Sequence, residues 1–237
     1  MSTRSAAPIP PTPDDATRPA RSLAIIADGN RRWARREGLS ITDGHEAGLD
    51  TALARARDAI ELGIRELTIF TFSTENWARP QEEIDGLFTM ATRRIAADAP
   101  GLGADGVRMR FIGRRDRIPT GLAEEIGRAE ELTAEQEALT LYLALDYGGR
   151  AELIRAASRS DPVEESDFRA ALYAPEMHDP DMMIRTGGQR RLSNFMLWQC
   201  AYSELVFRDE LWPDFGREEL EGSLVEFTTR QRHFGGQ

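Results

Sequence analysis

The chain has 237 residues and a formal net charge of -10, with 40 acidic side chains against 30 basic ones. Every basic residue is arginine, and the absence of lysine excludes Schiff-base chemistry, pyridoxal phosphate catalysis and an ordinary Walker-type phosphate loop. The acidic balance argues against general affinity for nucleic acid, so an anionic ligand must be met by a local arginine cluster, whose planar guanidinium forks suit phosphate oxygens.

Residues 1–20 contain Pro8, Pro10, Pro11, Pro13 and Pro19 and almost nothing large and apolar, which predicts a disordered leader before one catalytic domain at 21–237. One cysteine, Cys200, and three histidines, His45, His178 and His233, leave no Cys/His zinc site to assemble. There is no secretory signal and no apolar run near the roughly 20 residues a membrane span needs, so a soluble cytoplasmic protein is expected.

The run Leu23 to Ala27 predicts a buried first strand, ended by Asp28, Gly29 and Asn30, where a helix can begin. A helix is predicted around His45 to Leu62, with Leu49, Leu53, Ala56 and Ile60 on one face and Gly63 closing it. The strand Glu66 to Phe72 follows, then a helix that starts at Pro80 and carries Ile84, Leu87, Phe88, Ala91 and Ile95 as its apolar stripe until Pro100. Further strands are predicted at Val107 to Ile112, Leu139 to Leu145, Met182 to Ile184 and Glu204 to Phe207, with helices after Pro119 and around Leu220, Leu224 and Phe227. This alternation predicts a single α/β domain with a central, mostly parallel six-stranded sheet flanked by helices.

Polar clusters fall where predicted strands end: "DGNRRW" after the first, "STENWARP" after the second, "DYGGR" after the fourth and "RTGGQRRLSN" after the fifth. Ligands bind beyond the carboxyl ends of an open parallel sheet, so these loops predict one composite site. Asp28 has two readings, a cap for the following helix or a ligand for Mg²⁺ bridged to substrate phosphates, and Arg31 and Arg32 favour the second. In the second loop Thr74 or Asn76 can cap a helix while Trp77 tucks against the sheet, which leaves Glu75 and Arg79 without a task. In "RTGGQRRLSN", Arg185 and Arg191 flank a double glycine whose amides can approach an anion, with Ser193 nearby. Glu204 is a carboxylate in an apolar setting between Tyr202 and Leu205 and needs a metal or an arginine. Two arginine-rich anion sites with apolar strand faces between them describe a site for two phosphorylated substrates with greasy tails.

Taken in order, "IIADGNRRWA", "DGHEAG", "FSTENWARPQEE", "DYGGRAE", "MIRTGGQRRLSNFMLWQCAYSEL" and "LWPDF" resemble the cis-prenyltransferase family, whose best-known type is undecaprenyl diphosphate synthase. The likeness runs from about Leu23 to Gly236, and the Asp-rich motifs of the trans synthases do not occur. The resemblance implies a homodimer whose subunits each hold the growing chain in an apolar tunnel. It implies Mg²⁺-dependent condensation of isopentenyl diphosphate with an allylic diphosphate, farnesyl diphosphate being the simplest, to a cis-polyprenyl diphosphate such as the undecaprenyl carrier of cell-wall synthesis. On that analogy Asp28 and Glu204 hold the metal, and Asp28 and Asn76 are catalytic, Asn76 as proton acceptor. Gly29, Asn30, Arg31, Arg32, Trp33 and His45 then meet the allylic diphosphate, and Arg185, Arg191, Leu192 and Ser193 the isopentenyl diphosphate. Ser73, Thr74, Glu75, Asn76, Trp77 and Arg79 match the mobile loop that joins the two. An apolar product implies transient membrane contact at release.

The chain departs from the family pattern at Ile41, where an arginine is usual, at Arg31, a common glycine, and at Gln189, Asp146 and His233. Thr71, read on one strand face with Leu67 and Ile69, takes a tunnel position that is usually alanine and predicts a narrower tunnel and a shorter product. A short-chain or atypical cis-isoprenyl diphosphate synthase is therefore the alternative. A non-catalytic subunit of the same fold is disfavoured because Asp28, Asn76, Arg185, Arg191 and Glu204 are all present.

Overall fold

The computed structural model describes residues 19–159 and 164–230; His233 and all but the last two residues of the expected leader lie outside them. In chain order the elements are β1 (Ser22–Ile26), α1 (Asn30–Glu37), α2 (Ile41–Glu61), β2 (Glu66–Ser73), α3 (Gln81–Ala104), β3 (Val107–Ile112), α4 (Thr120–Leu132) and β4 (Leu139–Tyr147). They continue with α5 (Gly149–Arg159), α6 (Glu165–Arg169), β5 (Met182–Arg185), β6 (Glu204–Phe207) and α7 (Arg217–Thr229). The six strands form one sheet in the order β3-β4-β2-β1-β5-β6, and every pairing is parallel.

Helices cover both faces of this sheet, which is why β1, Ser-Leu-Ala-Ile-Ile, is buried at all five positions instead of alternating with polar residues. Leu23 and Ile25 pack into the larger core with Ala56 of α2, Ile84 and Leu102 of α3, Leu122 of α4 and Leu220 of α7. Ala24 and Ile26 face the other way, into a smaller core with Tyr147, Phe195, Met196 and Cys200. The chain leaves β1 for β2 on one side and later fills in β5 on the other, so the strand order reverses at β1. Such a switch point opens a crevice at the carboxyl edge, and the loops after β4, β2, β1 and β5 rise from four adjacent strands around it.

Three local departures from the sequence expectation have physical causes. Helix α2 starts at Ile41, ahead of its apolar face, because Ser40 and Asp43 cap it reciprocally: the Asp43 N–H donates to Ser40 Oγ at 3.1 Å and the Ser40 N–H to Asp43 Oδ2 at 3.0 Å. Helix α3 runs through Pro100 to Ala104, since Ala99 and Leu102 are buried while Pro100 and Ala96, whose carbonyl loses its partner, face water. In β2 the register slips between Phe70 and Phe72, a bulge in which Thr71 Oγ1 donates to the Ala144 carbonyl at 2.7 Å. The slip brings Phe72 into the larger core beside Leu67 and Ile69, correcting the expectation that Thr71 continues their face. Among the described residues no helix is long and apolar enough to cross a membrane.

Candidate active site

Asp28 lies two residues beyond β1, clamped by Thr186, whose Oγ1 accepts the Asp28 N–H at 3.0 Å and donates to the Asp28 carbonyl at 2.8 Å. Its carboxylate is shared by two guanidinium groups: Oδ1 accepts from Arg32 Nη2 at 3.1 Å and Oδ2 from Arg185 Nη2 at 2.9 Å. Arg185 ends β5 and is buried; its Nη1 donates to the Arg191 carbonyl at 2.6 Å and to Ser193 Oγ at 2.5 Å. One arginine thus ties the loop after β1 to the loop after β5. Arg32 Nη1 adds a bond to the Gly187 carbonyl at 2.7 Å. Gly187 has φ 79, and a Cβ there would sit 2.9 Å from the Asp28 carbonyl oxygen, so only glycine lets the two loops close this tightly.

The segment Thr74–Ala78 forms a 3-10 turn directly after β2. Positions three apart eclipse in such a turn, which explains why Ser73, Asn76 and Arg79 all face one cavity while Trp77 faces the core. The Ser73 N–H donates to Asn76 Oδ1 at 3.1 Å, Asn194 Nδ2 to Glu75 Oε1 at 2.7 Å, and Arg79 Nη1 to Glu83 Oε1 at 3.2 Å. Arg31 also reaches Glu83, at 3.7 Å.

The cavity, about 310 Å³, lies between α2, α3 and β2. Asp28, Asn30, His45, Ser73, Asn76, Arg79 and Arg185 surround its polar end, and Leu49, Ala52, Ile69, Leu87, Phe88, Met90 and Trp212 line the remainder. Helix α2 presses close enough on Asn30 that a Cβ at Gly48 would lie 2.7 Å from Asn30 Oδ1, and Trp212 Nε1 donates to the Gly48 carbonyl at 2.7 Å. Three buried polar atoms here have no partner among the described residues: Asn30 Oδ1, His45 Nε2 and Arg185 Nε. Buried polar atoms are nearly always satisfied, so three orphans at one cavity mark a place for a polar ligand. Burial foremost, with the charges of Arg79 and Arg31 and against the pull of Glu83, lowers the His45 pKa to about 4, which keeps the ring neutral near pH 7.

Other expected site residues point elsewhere. The Trp33 indole donates to Asp214 Oδ1 at 2.9 Å, the Arg191 guanidinium turns to Gln189 Oε1 at 2.6 Å, and Leu192 packs on the smaller core. Trp77 is tucked inward, its Nε1 donating to Asp146 Oδ1 at 2.8 Å. Thr74 Oγ1 donates to Glu75 Oε2 at 3.1 Å, and Gly29 precedes α1 as its N-cap residue. Residues that the sequence reading did not single out include Thr186 and Asn194, both inside the quoted "RTGGQRRLSN", and Glu83, one turn after Arg79.

Glu204 does not share the Asp28 site within one chain. It opens β6, level with Met182 of β5 and, through it, with Leu23 of β1, whereas Asp28 lies five residues further along. At about 3.3 Å per residue the two carboxylates are offset by roughly 16 Å along the strands, at opposite edges of the sheet. Glu204 Oε2 accepts from Arg230 Nη1 at 2.9 Å. Among the described residues no group of three or more His, Cys, Asp or Glu side chains could hold an ion. The single carboxylate of Asp28 therefore fits Mg²⁺ in the mode where substrate phosphates supply further oxygens.

A family model described as "Putative undecaprenyl diphosphate synthase" matches residues 26–235. Isoprenyl transferase 2 of Bradyrhizobium diazoefficiens is 46% identical over 243 aligned positions, covering 98% of this chain and 96% of that protein. The isoprenyl transferase of Aquifex pyrophilus is 44% identical over 218, covering 90% and 94%. The structure of lavandulyl diphosphate synthase from Lavandula x intermedia, in complex with dimethylallyl diphosphate, superposes with a TM-score of 0.87 at 33% identity, covering 94% of this chain and all of that one. With likeness of this degree along nearly its whole length, the chain belongs to the undecaprenyl diphosphate synthase family of isoprenyl transferases.

Proposed function

We propose that the protein condenses isopentenyl diphosphate with an allylic diphosphate, adding one cis isoprene unit per cycle. The observation that supports this reading most strongly is the cluster of unpartnered Asn30, His45 and Arg185 atoms beside Asp28 at the polar end of an apolar cavity. Arg185 and Ser193 hold the isopentenyl diphosphate, while Asn30, Arg31 and neutral His45 face the allylic diphosphate with its hydrocarbon chain in the cavity. Mg²⁺ held by Asp28 and phosphate oxygens would supply charge neutralisation for the departing diphosphate. Arg32 and Arg185, the present partners of Asp28, are charged donors placed to exchange onto phosphate oxygens. The C–O bond of the allylic substrate breaks, the isopentenyl double bond attacks the allylic carbon, and a proton leaves the adjacent carbon. The cavity's apolar lining excludes water from the cation, and Asn76 offers its amide oxygen, a weak base sufficient for so acidic a proton.

The simplest product is undecaprenyl diphosphate, made in the cytoplasm and passed to a membrane by transient contact. Thr71, bulged into the cavity wall, supports a second reading in which a narrower channel stops growth early. Within one chain Glu204 is out of reach of Asp28, so a homodimer is the arrangement in which it could approach the ion, from the second copy. The test is incubation with labelled isopentenyl diphosphate, Mg²⁺ and dimethylallyl, geranyl or farnesyl diphosphate, followed by product sizing. Elongation with any partner supports the reading and fixes the chain length; no elongation with all three overturns it.

A further inference from the structure

The turn that carries Asn76 is tethered, through its neighbour Trp77, to an ion pair between the buried Asp146 carboxylate and the partly exposed Arg117 guanidinium, which has no role in the reaction described above. Asp146, at the carboxyl end of β4, is fully buried and left-handed at φ 47. Its Oδ2 accepts from Arg117 Nε at 2.9 Å, and its Oδ1 accepts from both Arg117 Nη2 and Trp77 Nε1, the latter at 2.8 Å. Arg117 also stands over the Trp77 ring, 5.0 Å from its centroid. The same ring packs edge-on against Phe72 at 5.8 Å and tilted on Phe88 at 5.4 Å, and both phenylalanines line the cavity.

A buried carboxylate needs its donors, and the indole can satisfy its only N–H here without water. Swinging Trp77 away would leave Asp146 Oδ1 short of a donor and vacate the aromatic contacts at once. We propose that the Arg117–Asp146 pair is a positioning device for the substrate loop: by fixing the Trp77 indole it sets the direction in which Ser73, Asn76 and Arg79 enter the cavity. The proposal rests on the reading that this loop meets substrate. Neither Asp146 nor Arg117 touches the reacting atoms; both act through Trp77.

Trp77→Phe keeps the ring contacts and deletes the N–H, whereas Asp146→Ala deletes the acceptor. Each is expected to lower kcat/KM about tenfold, and the double variant by no more than about the same tenfold, because both cut the Trp77–Asp146 bond through which the pair acts on the loop. Asp146→Asn, which retains an oxygen for the indole, should recover most of the loss seen in Asp146→Ala. Amide hydrogen exchange at residues 74–79 of the free protein should quicken in Trp77→Phe and Asp146→Ala alike. Losses that multiply to about a hundredfold in the double variant, or Trp77→Phe within about twofold of wild type, overturn the proposal. Should Asp146→Ala fail to fold, Trp77→Phe decides alone. Should wild type elongate no substrate pair, the functional reading fails, while the exchange rates still decide the tether: quickened exchange supports it and unchanged exchange overturns it.

Discussion

Asp28 and Glu204 are both carboxylates at strand ends, both expected to hold one metal, and both paired with arginine, yet the two ends of the sheet use them differently. Asp28 stands at the carboxyl edge among Arg32, Arg185 and three unsatisfied buried atoms, at the polar end of a cavity. Glu204 stands at the amino edge, where Arg230 also donates to the Leu205 carbonyl at 3.1 Å and pairs with Glu226, fastening the end of α7 to the edge strand. The partners a carboxylate already has do not separate the two cases. The difference lies in what its surroundings lack.

The harshest test of the contrast is Asp28→Ala. Removing the carboxylate that fits the ion should lower turnover on the order of a thousandfold, with the far-ultraviolet circular dichroism unchanged. Turnover within about tenfold of wild type would reduce Asp28 to a clasp between loops, the kind of role Glu204 plays in its own chain. A second test mixes Asp28→Ala and Glu204→Gln chains. If Glu204 serves a second copy's site, random pairing yields hybrid dimers in half the population, each with one intact site of two, and roughly a quarter of wild-type activity returns. No recovery would confine Glu204 to its own subunit.

How much of each end was legible in the sequence follows from the kind of information each residue carries. The strand at Leu23–Ile26 is continuous apolar sequence, so its burial and the turn after it are local facts, and the parallel alternation then places Asp28 at the ligand edge. Arg185 and Ser193 were legible for the same reason, since they close and follow a short buried strand. Glu204 opens a strand legible as Glu204 to Phe207, but its distance from Asp28 is set only by pairing with Met182, a contact between residues far apart in sequence. Thr71 was misread on its face because a bulge, which no periodicity announces, inserts one residue against β4. Trp77 and Asp146 are 69 residues apart, so their bond had no local signal at all.

A milder effect separates the cavity end by acid. His45 has its pKa lowered from 6.5 to about 4 by burial and by Arg79 and Arg31, so the folded protein prefers the neutral ring. The unfolded chain takes up the proton first as pH falls, so this contribution is fully present above pH 6.5 and is lost between pH 6.5 and about 4. The full shift corresponds to on the order of 3 kcal/mol. Denaturant unfolding at stepped pH should show a steeper decline in wild type than in His45→Gln across that window. Equal slopes would mean that His45 is solvated and not held as an empty contact for substrate.

The smallest expected effect belongs to Glu204 itself. The Glu204 and Arg230 side chains keep 26% and 34% of their surface exposed, so water competes for the pair, and Arg230 retains Glu226 when Glu204 is neutralised. Partly exposed ion pairs contribute about 1 kcal/mol or less, and Glu204→Gln preserves the volume and one oxygen acceptor, so unfolding in denaturant should shift by no more than that. This bound makes the mixed-subunit test interpretable. A Glu204→Gln chain that folds with near wild-type stability yet loses turnover cannot have lost it through its own edge strand, because the clasp it weakens carries too little energy. A loss above about 2 kcal/mol would show that the Arg230 contact governs the amino edge, and failure in the mixed dimers would then report a damaged subunit and not a shared site.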